Sequence, residues 1–205
     1  MKPATLARTT RRQPKQRRAL ETVDAVLDAV LRILKREGAA AVTTNRIAEV
    51  AGVSIGSLYQ YFPDKRAIFH ALHGRHIEQV DQLIERTLVA HASSALEELV
   101  KALMEAMIEI HEGAPELYQA LMAELPHDSG GQQAFAVRLH GAFLLAISSR
   151  AKELKKGRDP DRLAFVVTHM IESLSHGVLF RRPPGLSLVD AKAESMRAVL
   201  AYLHS

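Results

Sequence analysis

Residues 44–62 read TNRIAEVAGVSIGSLYQYF. Two short helices separated by a tight turn fit this stretch, which is the helix-turn-helix plan. Thr43 and Thr44 are good caps for a first helix running to Ala51, and Gly52 stands where the turn needs a residue tolerant of positive φ. Ser54 caps a second helix through about Tyr61. Ala48 is small where the helices must cross closely, and Ile47, Ala51, Val53 and Leu58 are apolar where they bury against each other. In this plan the N-terminal end of the second helix faces base edges, while the first helix crosses the phosphate backbone. Tyr59 and Tyr61, with Lys65 close behind, supply hydroxyls and a cation suited to phosphate oxygens.

Working toward the N-terminus, Leu20, Val23, Val26, Leu27, Val30, Leu31 and Leu34 recur at three- and four-residue steps, and Gly38 stops the helix they predict over 19–37. Residues 1–18 carry seven basic side chains and no acid, and are expected to be disordered when free. Residues 1–75 hold 14 Lys and Arg against 6 Asp and Glu, whereas 76–205 hold 13 against 17. A basic first third on a mildly acidic remainder suits a polyanion at one end, or a solvated basic tail.

Toward the C-terminus, Phe62-Pro63-Asp64 punctuates the chain and a long helix is expected over 65–90. Further helices are expected over 95–112, 116–124, 132–156 and 160–180, and from the Ser187 cap to about 203, with a turn-rich loop over 126–131. The reading is all-α, about nine helices: a basic arm (1–18), a helix-turn-helix domain (19–75) and a larger helical bundle (76–205).

The stretch TTNRIAEVAGVSIGSLYQYFPDKRAIFHAL (43–72) resembles the DNA-binding signature of the TetR family of bacterial transcriptional regulators. The resemblance implies a three-helix DNA-binding domain, a C-terminal helical domain that binds a small-molecule effector, and a cytoplasmic homodimer that represses a double-stranded DNA operator until the effector binds. By the same resemblance, Thr44 and Asn45 begin the first motif helix, Ile55, Gly56 and Ser57 begin the recognition helix, Tyr59 and Tyr61 touch phosphates, and Lys65 opens the next helix. Direct base readout is thin: Ile55 offers apolar contact, Gly56 backbone alone, and Ser57 one hydroxyl. Arg11, Arg12, Arg17 and Arg18 are candidates for added affinity and minor-groove contact.

One short recognition helix is weakly specific, and two copies about 34–36 Å apart demand a symmetric dimer. The helix over 163–180 is apolar on most of its circumference, and a dimer seam is expected from Phe165, Met170, Leu174, Gly177 and Val178 with Met196, Val199, Leu200 and Leu203 of the last helix. The alternative is a central helix buried in a monomer. Met104, Met107, His111, Tyr118, Met122, His140, Phe143, Phe165 and His169 are the candidate effector contacts, being soft or aromatic residues with a few polar groups, though any helical core is built of the same types. A ligand favouring a wider dimer would pull the recognition helices out of groove spacing, with the helix from Lys65 as the lever.

With no cysteine in 205 residues, disulfides, thiolate metal sites and a cysteine nucleophile are excluded. His169, Glu172 and His176 interrupt the most apolar stretch, so no membrane span is expected, and the basic N-terminus has no apolar stretch behind it to make a secretory signal. His70, His73 and His76 raise a metal reading without a convincing third carboxylate, so no metal and no cofactor are expected. Glu172 and His176, one turn apart, raise an acid–base reading. No nucleophile motif, phosphate loop or HExxH accompanies them, and a hydrogen bond between the two inside the dimer seam is the simpler expectation. A sequence-nonspecific nucleic-acid binder remains a third reading.

Overall fold

The computed structural model describes residues 13–125 and 130–205, with side chains from 17–125 and 134–205. Among the described residues there are nine α-helices and no strand: α1 Gln13–Glu37, α2 Thr44–Ala51, α3 Ile55–Tyr61, α4 Lys65–Ala90, α5 Leu96–Glu112, α6 Pro115–Glu124, α7 Gly130–Ser148, α8 Pro160–Phe180 and α9 Leu188–His204. Short 3₁₀ turns lie at Ala39–Ala41 and Ala151–Glu153. The chain divides into two compact units, Met1–Leu72 and His73–Ser205, and α4 contributes residues to both.

In the first unit α1 packs on α2 and α2 on α3, and the buried residues are Val26, Leu27, Val30, Ile33 and Leu34 of α1, Ile47 and Ala48 of α2, Leu58 of α3, and Ile68, Phe69 and Leu72 of α4. Leu20, expected in the apolar stripe of α1, is 65% exposed. Helix α1 begins at Gln13, six residues ahead of the expected start at 19. The Arg17 guanidinium pairs with Glu21 at 2.9 Å, and the Thr22 hydroxyl bonds the Arg18 carbonyl at 2.8 Å, so local helical pairs carry the basic segment upstream of the core. Arg17 and Arg18 therefore lie on the exposed first turns of α1 instead of in a disordered arm. Arg11 and Arg12 lie outside the described residues.

The second unit is a bundle in which α8 packs against α5, α7 and α9. Its core takes Val80 and Ile84 from α4, Leu99, Leu103 and Met104 from α5, Phe143 and Ile147 from α7, Leu163, Val167 and Ile171 from α8, and Val199 and Leu203 from α9. By length and composition α8 would also pass as a membrane span, but its apolar residues Leu163, Ala164, Val167 and Ile171 are consumed by this core.

Helix α7 stops at Ser148, eight residues before the expected end at Lys156. The reason is tertiary. Past the break, the Arg150 guanidinium donates to the carbonyls of His91 at 2.7 Å, Ala92 at 2.9 Å and Ser94 at 2.9 Å, closing the loop after α4. Glu153 Oε2 accepts the N–H of Leu96 at 2.7 Å and caps α5, whose own N-cap position is Ala95 and supplies no side-chain bond. The loop carbonyls after α4 and the first N–H of α5 are thus satisfied from one turn more than fifty residues downstream. The expected Ser93-Ser94 cap is displaced by this arrangement, and Ser94 Oγ instead pairs with His91 Nδ1 at 3.2 Å.

Candidate nucleic-acid interface

Thr43 holds extended backbone ahead of α2, and its hydroxyl accepts the Arg46 N–H at 3.2 Å. Gly52 ends α2 in the left-handed region (φ 70°, ψ 29°), and Val53 N–H reaches back to the Ala48 carbonyl at 3.0 Å. An L side chain is strained in that conformation, so glycine is required here by the backbone itself. Ser54 then caps α3: its hydroxyl accepts the Ser57 N–H at 3.0 Å and lies 2.8 Å from the Ser57 hydroxyl.

Helix α3 has two dissimilar sides. Leu58 is completely buried, and Phe62 just beyond the helix is 6% exposed. Ile55, Tyr59 and Tyr61 are 39%, 49% and 39% exposed, with Gly56 also open to solvent. Two aromatic rings and an isoleucine left in water beside a buried leucine are what a docking face needs and a core helix does not. The Tyr59 hydroxyl lies 3.2 Å from the Thr44 hydroxyl, so two residues expected at the interface touch across the turn. Asn45 is exposed on the same first turn of α2. Asp64 accepts the Ala67 N–H at 2.7 Å and caps α4, and the Lys65 ammonium sits 5.7 Å above the Phe69 ring.

Arg46, the arginine inside the motif, is committed elsewhere. Its guanidinium makes two bonds to Glu37 of α1, at 2.8 and 3.0 Å, and one to Glu49 at 2.8 Å. The pairing drives the Arg46 pKa further up and holds the Glu37 carboxyl below its usual range. Arg46 ties α1 to α2 and carries little free charge for a polyanion.

The residues expected to contact an effector fall into separate places. Met104 is wholly buried in the core. Met107 and Phe143 line a small cavity with Ile84, Leu103, Leu139, Thr168, Ile171 and Glu172. Met122 is half-buried on α6. Phe165 and His169 are exposed, Phe165 at 55%, and His169 Nδ1 bonds the Phe165 carbonyl at 2.7 Å, while His140 is half-buried, with Nε2 paired to Asp161 at 3.0 Å and Nδ1 buried without a partner among the described residues.

His111 and Tyr118 join a ring cluster whose other members, His76, His176 and Phe180, come from α4 and α8. Tyr118 stacks on Phe180 at 4.2 Å between centroids, and His176 lies 4.5 Å from His111. His111 Nδ1 donates to the Met107 carbonyl at 2.7 Å, which leaves its Nε2 as an acceptor for the Nε2–H of His176 at 3.1 Å. Burial lowers all three histidines. His76 falls to about 4, helped by the fields of His111 and His73, and His176 to about 3, helped by His111, His76 and Arg181. His111 is lowered by burial, partly offset by its bond to the Met107 carbonyl. Burial raises Tyr118. The expected Glu172–His176 bond is thus replaced by a His111–His176 bond, because α8 turns His176 toward α5. Among the described residues no three side chains are arranged to hold a metal. The repeating four-residue step Thr168, Glu172, His176 on α8, facing Met107 and His111 on α5, is the sequence signal that would have located this lining.

The expected dimer residues also divide. Val178, Val199 and Leu203 are buried within their own unit, at 4%, 0% and 7% exposure, and are unavailable to a partner. Met170, Leu174, Gly177, Met196 and Leu200 are half-buried, and Phe165 is open.

Helices α1 to α3 therefore form a helix-turn-helix domain with a capped, half-exposed second motif helix, the class of fold that reads duplex DNA. Residues 26–72 match the model for bacterial regulatory proteins of the tetR family, and residues 95–203 match that for a tetracyclin repressor-like C-terminal domain. The chain belongs to the TetR family of bacterial transcriptional regulators, which are not enzymes. It is 38% identical over 65 residues to the HTH-type transcriptional repressor KstR of Mycolicibacterium smegmatis, covering 32% of each chain. It is 34% identical over 97 residues to the nucleoid occlusion factor SlmA of Glaesserella parasuis, covering 46% of each. The chain thus spans less than half the length of these curated relatives. A TetR-family transcriptional regulator from Pectobacterium atrosepticum shares the fold, with a TM-score of 0.68 at 17% identity over 92% of this chain and 95% of that one.

Proposed function

We propose that the protein is a ligand-responsive repressor that grips a palindromic operator in the bacterial cytoplasm as a homodimer and is released by a small, largely apolar molecule. The observation that carries the reading is the two-sided α3: Ser54 caps it, Leu58 anchors it, and Ile55, Gly56, Tyr59 and Tyr61 are left open on the other side. Tyr59 with Thr44, Tyr61 and Lys65 supply phosphate contacts, Asn45 adds a contact from α2, and Ile55, Gly56 and Ser57 enter the groove. Arg17 and Arg18 add positive charge at the start of α1. The half-buried Met170, Leu174, Met196 and Leu200, with exposed Phe165, are the residues of α8 and α9 offered to a second copy. The effector occupies the C-terminal unit and acts by preferring one dimer spacing over another.

Selection of duplexes from a random pool, followed by binding of the winner and a scrambled control at about 0.15 M salt, tests this. A palindromic winner retained roughly a thousandfold better than the control is expected, the lower end of the usual range of specific over nonspecific affinity, about 10³–10⁷. Equal retention would favour nonspecific binding, a reading to which the thin base-reading set of Ile55, Gly56 and Ser57 lends weight.

A further inference from the structure

We propose that Gln60 is the base-reading side chain of α3, its carboxamide pairing with the N7 and N6 edge of one adenine in each half of the operator. This rests on the reading of the protein as an operator-binding regulator, and names what its motif selects.

The position follows from the period of the helix. At about 100° per residue, Gly56 and Gln60, each two places from the buried Leu58, stand about 160° round from it on either side, along the line of α3 farthest from its own core. Ile55 and Tyr59 flank that line on one side, and Ser57 and Tyr61 on the other. Gly56 puts no side chain on it, and a Cβ there would meet nothing nearer than the Ser54 hydroxyl at 3.9 Å. Gln60 is therefore the one side chain on the outermost line of the helix, and the bare backbone at Gly56, one turn earlier, admits the close approach that a side chain of its length needs. Gln60 is exposed, and its carboxamide bonds to no described residue. The hydroxyls on the flanks are already engaged: that of Ser57 lies 2.8 Å from the Ser54 hydroxyl, and that of Tyr59 lies 3.2 Å from the Thr44 hydroxyl.

The chemistry of the amide selects the base. A carboxamide offers an acceptor and a donor side by side, and in the major groove only adenine presents the complement, an N7 acceptor beside an N6 amino donor. Guanine offers two acceptors there, one of which the carboxamide oxygen opposes. At about 1.5 Å per residue, α3 is roughly 10 Å long, shorter than the groove is wide at about 12 Å, so its second turn enters with its first.

Duplex selection at about 0.15 M salt with the full-length wild type, Gln60→Ala and Gln60→Arg tests this. The wild type is expected to require adenine at one symmetric pair of positions, any other base weakening binding about tenfold per half-site, equivalent to ~1.4 kcal/mol. Gln60→Ala is expected to lose that requirement while its other preferences and its melting temperature stay as in wild type, and Gln60→Arg to move the requirement to guanine. In the selected duplex, 7-deazaadenine at those positions, which lacks the N7 acceptor, is expected to weaken the wild type and leave Gln60→Ala indifferent. Uracil in place of the paired thymine removes only the methyl within the scope of Ile55. An adenine requirement that survives Gln60→Ala, or one lost to uracil and not to 7-deazaadenine, overturns the proposal. A selected palindrome with no position that depends on Gln60 sinks this inference alone, whereas a wild type that selects no palindrome sinks the regulator reading with it.

Discussion

The hydroxyls of Thr44 and Tyr59 lie 3.2 Å apart, one on each helix of the motif. Both side chains reach solvent, so the bond between them contributes little to folding, well under the roughly 1 kcal/mol of a buried hydrogen bond. What it does is fix the direction of the Tyr59 ring. Tyr59→Phe and Thr44→Val are each expected to leave the melting temperature within a few degrees of wild type while weakening retention of the selected duplex about threefold to tenfold. Anisotropy titrations beside thermal melts check this. A large fall in melting temperature with unchanged DNA affinity would make the pair a structural tie instead.

Gly56 and Gly52 give opposite outcomes on replacement. A Cβ at Gly56 meets nothing nearer than the Ser54 hydroxyl at 3.9 Å, and its φ is not positive, so nothing within the chain demands glycine there. Gly56→Ala is expected to stabilise the fold by about 0.5–1 kcal/mol through helix propensity and to reduce DNA affinity if the backbone approaches the duplex closely. Gly52→Ala forces φ near 70° on alanine and is expected to cost about 1 kcal/mol. Chemical denaturation of the two variants distinguishes them.

The imidazole cluster makes the C-terminal unit sensitive to acid. His76, His111 and His176 are all lowered in the folded state, the first and last to about 4 and about 3. Between an ordinary histidine value of about 6.5 and those folded values, the unfolded chain holds protons that the folded chain refuses. Stability contributed by neutral burial is therefore complete above about pH 6.5 and falls away as pH drops toward 4. His176→Gln is expected to flatten the slope of melting temperature between pH 7 and pH 5 relative to wild type. An identical slope in the variant would show that carboxylates elsewhere set the acid response.

Exposure separates the residues available to a partner from those that hold the unit together. Phe165→Asp, on a side chain 55% exposed, is expected to leave the monomer folded and raise the dimer dissociation constant at least tenfold in sedimentation equilibrium. Val199→Ala, at 0% exposure, is expected instead to lower stability by about 1–3 kcal/mol with little change in association. A Phe165→Asp protein that dimerises like wild type would move the seam to another face.

Much of the architecture could be read from the residues because its signals are local. Gly52, Ser54 and Asp64 each act on backbone groups within three or four positions, and the helices they bound, α2, α3 and α4, lie where those residues put them. The end of α7 was hidden because its cause is remote: Arg150 and Glu153 answer carbonyls of the loop after α4 and the first N–H of α5, and no spacing reveals that. The interior lining was partly hidden for a related reason. Phe165 and His169 are the same residue types as Phe143 and His111, and only the rotation of each helix about its axis decides which pair turns inward. Arg46 shows the converse, a basic residue inside a DNA-reading motif spent on Glu37 and Glu49.

The Arg150–Glu153 turn imposes an order on synthesis. The end of α4 and the start of α5 leave the ribosome more than fifty residues before the side chains that complete them. Until that turn emerges, the nascent second unit lacks the bonds of Arg150 and Glu153, whereas the first compact unit ends at Leu72. The first unit can thus complete its chain while the second is still being made, and a nonsense codon between them would release a helix-turn-helix without α8 and α9, the helices proposed to pair it with a second copy.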